Sequence, residues 1–221
     1  LFLRHGDEVA TLGPRMAEVV AQYMTPEAAR KIRILTTPVD TNFIQPVTKD
    51  SNPFAMANGQ VGKMTVLYSG NLGLSHDLDM MVDVSEELQE RDEIHFLIIG
   101  SGPGWQELSK SAESLHNMTV LPLQDDDVLP FSLSTGDVAW VSIGSNMEGI
   151  SMPSKTQYAL SAGSAILGVS PSTSDLHDIV ERYDCGINVE PGDAEGCVDA
   201  IRLEPPKVVF NPILELFCLQ W

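Results

Sequence analysis

Glu148, Ser154 and Lys155 fall within one stretch, residues 142–163, and together they could hold an anion beside a polyol. A desolvated carboxylate such as Glu148 accepts hydrogen bonds from sugar hydroxyls. Pro153-Ser154-Lys155 reads as the opening of a helix, and proline is favoured in a first turn because its missing N–H would have no partner there. The free N–H groups of that turn and the positive end of the helix dipole favour an anion. Ser154 adds a hydroxyl donor and Lys155 a mobile positive charge. The chemistry implied is a phosphate seat. The plain alternative is a capped structural helix with an exposed lysine and an exposed loop acid. Context argues for the seat, since this is one of only six lysines and it stands at a strand-to-helix crossover.

The elements that must position these residues follow from periodicity. Apolar runs at 138–141 and 165–169 flank the stretch as buried strands. Upstream, 64–69 predicts a strand, 70–73 a glycine turn, and 77–89 a helix with Leu78, Met81, Val82, Val84 and Leu88 on its apolar face. The run 94–99 predicts a central parallel strand, and a glycine-rich turn at 100–104 leads into a helix from Trp105. Residues 118–121 predict a strand, followed by an acidic turn at 125–127 and a short helix to Leu133. Further helices are expected at 174–183 and 193–201, with a strand at 186–189. Nearer the start, 7–12 and 31–36 read as strands around a helix opened by Gly13-Pro14 and a short one capped by Thr25. Residues 42–62 read as loop, and the main boundary is expected there. Regular alternation of strand and helix implies an α/β, Rossmann-like, doubly wound parallel sheet with helices on both faces.

Composition narrows the classes of partner. The 221 residues carry 13 basic and 31 acidic side chains, a net charge of −18, which disfavours nucleic acid and anionic lipid. No apolar run approaches the roughly 20 residues of a membrane span, so no transmembrane segment is expected. The chain opens at Leu1 without methionine or signal peptide and reads as part of a longer protein. Cys185, Cys197 and Cys218 are odd in number and widely spaced, which suggests free thiols in a reducing, cytoplasmic setting. The scattered histidines predict no metal site.

Two glycine turns need weighing. Gly100-Ser101-Gly102-Pro103-Gly104 follows a strand as a dinucleotide fingerprint would, but its spacing is G-x-G-x-G and its proline stiffens the loop. A tight strand-to-helix turn is the better account. In Gly70-Asn71-Leu72-Gly73 the glycines would let backbone approach a ligand closely. His76 beyond it could donate to an anion or cap its helix. No nucleophilic triad and no acid–base carboxylate pair can be assembled by spacing.

The succession VLYSGN (66–71), HFLIIGSGP (95–103), MTVLPL (118–123) and MPSKTQYALSAGSAIL (152–167) resembles the donor-binding half of GT-B retaining glycosyltransferases. The likeness is greatest to family-4 enzymes of bacterial polysaccharide assembly. EVATLGPRMAEVV (8–20) and KIRILTTPVDTNFIQP (31–46) resemble the end of the acceptor-side domain and the crossover. The resemblance implies this division: 1–42 the end of the acceptor-side domain, 43–62 a linker, 63–203 the donor-binding domain, and 204–221 a tail returning to the acceptor domain. It implies that Gly70 and Asn71 border the donor phosphates and sugar. Backbone around Leu121 and Leu123 would hold the base, and Ser154 and Lys155 the diphosphate. Glu148 lies near the first acid of the family's Glu-x7-Glu pair, and the second falls on Tyr158. The basic pair that follows the first glycine turn in the family is here Asn71 and His76. Glu148 and Lys155 are the expected catalytic pair. The implied activity is metal- and cofactor-independent transfer of a sugar from a nucleotide-sugar donor, a UDP-sugar, to a glycan or lipid-linked acceptor held by the preceding domain. A homodimer is open to such a protein. The alternatives are a non-catalytic nucleotide-sugar-binding or scaffolding module and a nucleotide-sugar epimerase of similar fold.

Overall fold

The computed structural model describes residues 6–73, 78–144, 147 and 149–203. Glu148, His76 and the tail 204–221, all named above, lie outside them. At the start, β1 (Val9–Thr11) and β2 (Ile32–Ile34) pair in parallel, with Val9 opposite Ile32. Helices α1 (Pro14–Ala21) and α2 (Pro26–Ala29) connect them. Thr25 caps α2 as expected, its hydroxyl accepting from Ala28 N at 3.3 Å.

Between 42 and 62 the structure differs from the loop expected there. Lys49–Ser51 forms a 3-10 turn and α3 (Pro53–Ala57) follows it. Asn52 accepts from Phe54 N and Ala55 N while donating to Phe131 O at 2.8 Å. Ile44, Phe54 and Ala55 are buried. An Asn-Pro pair marks a turn and a helix start equally well, and a five-residue helix has too little periodicity to decide between them.

The remainder alternates as expected. In order come β3 (Met64–Asn71), α4 (Leu78–Glu87), β4 (Ile94–Ser101), α5 (Trp105–Ala112), β5 (Met118–Pro122) and α6 (Leu129–Leu133). Then follow β6 (Val138–Ser142), α7 (Lys155–Ser161), β7 (Ala165–Val169), α8 (Asp175–Tyr183), β8 (Gly186–Val189) and α9 (Ala194–Arg202). All six strands from β3 on are parallel, in the order β5-β4-β3-β6-β7-β8.

Strand side chains alternate between two cores, as the pleat requires. Val66, Tyr68, Phe96, Ile98 and Trp140 join α4, α5 and α9 on one face. On the other, Leu67, Leu97 and Ile99 meet α3 and α6, while Ala139, Val141 and Ile166 meet α7 and α8. This doubly wound sheet reverses its order between β3 and β6. In such sheets the crevice at the carboxyl ends of those two strands is where ligands bind. Here the crevice is opened by divergence: β3 and β6 pair only at Val66–Val138 and Leu67–Ala139, then separate.

Candidate donor site

The separation of β3 and β6 is occupied by Lys155, the first residue of α7. Its side chain shares a small cavity with Leu67, Ser69, Trp140 and Val141, residues of the two parting strands. Nζ stands 4.0 Å from the centroid of the Tyr68 ring, a cation–π contact. The stem of Lys155 is partly exposed, but Nζ is buried and has no hydrogen-bond partner. A buried ammonium without an acceptor is costly, and burial lowers the Lys155 pKa from 10.5 to about 8. The Tyr68 hydroxyl donates to Asn71 O at 2.7 Å, and burial raises its pKa, so the phenol stays neutral.

Gly70 completes the geometry. Its φ is +145°, and a Cβ built on it would lie 3.8 Å from Lys155 Nζ. The space left by the absent side chain is therefore within reach of the ammonium, and an anion's oxygen placed there would supply the missing acceptor. Asn71 is directed elsewhere, with its Oδ1 beside Gly102, where a Cβ would lie only 2.5 Å away. Leu72 N donates to Ser101 O at 2.8 Å and Gly104 N to Leu72 O at 3.0 Å. The second glycine turn thus braces the first.

Ser154 is the exposed N-cap of α7 and makes no side-chain cap bond. Pro153 lies one residue before the cap, and its carbonyl accepts from Thr156 N at 3.1 Å, so the turn tightens ahead of the helix proper. Tyr158 is partly buried against the cluster of Ile44, Phe54, Leu67 and Ala162. Leu121 sits at the carboxyl end of edge strand β5, partly buried, and Leu123 is 54% exposed just beyond it. Beside them an open groove is lined by Gly100, Gly102, Trp105, Gln106 and Pro122. The structure thus brings Gly70 and Lys155 together, and holds Leu121, Leu123 and Tyr158 on neighbouring elements.

Tyr68 was not among the residues expected at the site. Its signal was legible: it lies two residues before Gly70 on the same strand, and so shares that residue's face. What sequence could not give was the parting of β3 and β6 that lets Lys155 reach the ring.

The sequence profile of the group 1 glycosyl transferases matches residues 63–203. The chain belongs to that family. Over 143 residues it is 32% identical to WcaI of Escherichia coli (strain K12), named for glycosyl transfer in colanic acid biosynthesis. That match covers 63% of this chain and 35% of WcaI. Sulfoquinovosyl transferase SQD2 of Arabidopsis thaliana is 25% identical over 179 residues, covering 79% of this chain and 33% of SQD2. The chain spans about a third of the length of the curated relatives it matches. Among solved structures, Anabaena HepE in complex with UDP-glucose superposes with a TM-score of 0.76 at 13% identity. That superposition covers 99% of this chain and 60% of HepE. The fold of this group 1 chain is therefore that of one GT-B half, with Lys155 near Gly70 at the switch point of its sheet.

Proposed function

We propose that this chain is the donor-binding part of a retaining glycosyltransferase and that Lys155 anchors the donor's diphosphate. The observation that carries this reading is the unpartnered, buried Nζ of Lys155 beside the space above Gly70. A buried ammonium left without an acceptor costs free energy, and a phosphate oxygen in that space would offset the cost. In transfer, the bond between the sugar's anomeric carbon and the diphosphate oxygen breaks, the nucleoside diphosphate leaves with the electron pair, and the anomeric carbon bonds to an acceptor hydroxyl oxygen whose proton goes to the departing diphosphate. Lys155 would stabilise that growing charge with no metal required.

The remaining assignments complete the proposal. Gly70 and the backbone of Asn71 border the phosphates and sugar, with Ser154 as an outer phosphate donor. Backbone around Leu121 and Leu123 holds the base, and Tyr158 takes the place of a ribose-binding acid. Glu148 and His76 are proposed as sugar and phosphate contacts on the strength of their sequence positions. The donor is proposed to be a UDP-sugar, supported by the complex of HepE with UDP-glucose. The acceptor, a glycan or lipid-linked glycan, would be held by a domain preceding residue 43.

A thermal-shift panel tests the reading. UDP and UDP-sugars should raise the melting temperature of the chain in proportion to the logarithm of their concentration above Kd, whereas NAD should not, since the Gly100–Gly104 loop is occupied in bracing the Gly70 turn. Protection by NAD with none by UDP would revive the dinucleotide reading and remove this one.

A further inference from the structure

In the loop that delivers Lys155 to the crevice, Ile150 N and Ser151 N donate to the local Met147 O, each at 3.2 Å. Against this loop packs α1, which comes from the start of the chain. Gly149, six residues before Lys155, has φ +61° and lies under α1, where a Cβ would be 2.7 Å from Val19 Cγ2 and 3.4 Å from Arg15 O. Met152, three residues before Lys155, is buried in the junction between α1 and α8, beside a cavity of about 260 Å³ that Leu12, Ile34, Asp175, Ile179 and Tyr183 also line.

What holds α1 there is a carboxylate from α8. Asp175 is 3% exposed, and its two oxygens accept from Arg15 N at 2.9 Å and Met16 N at 3.4 Å, the first free donors of α1. Arg15 Nε donates to Asp178 Oδ2 at 3.0 Å one turn along α8. Gly13 makes the approach possible, because a Cβ there would stand 2.5 Å from the Asp175 carboxyl carbon.

We propose that Asp175 is a positioning residue for the donor site: by clasping the start of α1 it presses that helix onto Gly149 and fixes the 149–153 loop, and so fixes where Lys155 enters the crevice. The inference rests on the reading of Lys155 as the diphosphate anchor. It adds that the acceptor-side segment, and not only the donor sheet, determines donor affinity.

Two variants act on the clasp from opposite sides. Asp175→Asn removes the charge and one of the two acceptors. Gly13→Ala inserts a methyl between α1 and the carboxylate, and it adds no backbone strain because Gly13 φ is −158°. Calorimetric titration of the chain with UDP should show a dissociation constant raised about three- to tenfold in each variant, as expected for coupling through packed elements. In a Lys155→Ala background the further loss from Asp175→Asn should shrink toward none, because the residue it positions is gone. A purely structural clasp would lower the melting temperature but leave UDP affinity unchanged in both single variants, and that result overturns the proposal. Loss of affinity in Lys155→Ala alone would place the failure in the clasp. Unchanged affinity in all three variants would remove the diphosphate anchor and the clasp together.

Discussion

At the scale of the residue, burial of the Lys155 ammonium carries a stability cost. In the unfolded chain this side chain holds its proton to about pH 10.5, while folded it gives it up near 8. Between those values the unfolded state carries the extra proton, so this contribution to stability rises as pH rises from about 8 to 10.5; below 8 the full cost is present. Lys155→Met keeps the volume and removes the charge. It should therefore stabilise the ligand-free chain at pH 7 by about 1–2 kcal/mol, allowing for the partly exposed stem, and the gain should disappear near pH 10.5. Urea unfolding of both proteins at the two pH values measures this. Lower stability of the variant at pH 7 would mean that the ammonium already has a partner. Lys155 itself was legible in the sequence from its place after Pro153-Ser154 at a crossover. The contact of Lys155 with Tyr68 was not, since residue spacing says nothing about how far two paired strands splay.

At the scale of the element, regular alternation made the sheet legible, because fully buried parallel strands read as unbroken apolar runs such as 94–99. The misreading was confined to α3 and its cap. There, Asn52 satisfies the start of α3 and also donates to Phe131 O in a different helix, a pairing 79 residues apart that no local pattern encodes. Asn52 is fully buried, so Asn52→Ala leaves the Phe54 and Ala55 N–H groups without their acceptor, while Phe131 O keeps the Thr135 hydroxyl at 2.8 Å, and should cost about 1–3 kcal/mol. If α3 is an integral part of the sheet's second face, thermal unfolding of the variant should remain a single transition at lower temperature. A separate early transition with the main one unmoved would show the 43–62 segment to be a detached linker instead. At the Gly100–Gly104 turn the need for glycine is visible only in three dimensions: the backbone of Gly70 and Leu72 and the side chain of Asn71 occupy the space where Cβ atoms of Gly100 and Gly102 would go.

At the scale of the whole molecule, a net charge of −18 means that any phosphate site must be built locally, and the proposed one rests on one lysine at one switch point. The segment before residue 43 is joined to this site through α1, Asp175 and the 149–153 loop, a connection between residues some 160 positions apart that sequence spacing could not reveal. The central claim is that Lys155 meets the donor's phosphates, and it is tested most directly by titrating the chain and its Lys155→Ala variant with UDP by calorimetry across pH 7 to 9. A charge-assisted phosphate contact is worth roughly 1.5–3 kcal/mol, so the variant should bind about ten- to a hundredfold more weakly at pH 7. Binding to the parent should take up a proton near pH 8, because the phosphate restores a pKa that burial had lowered, and parent affinity should fall as pH rises beyond that point. Equal affinities at pH 7 with no proton uptake at pH 8 would contradict the account.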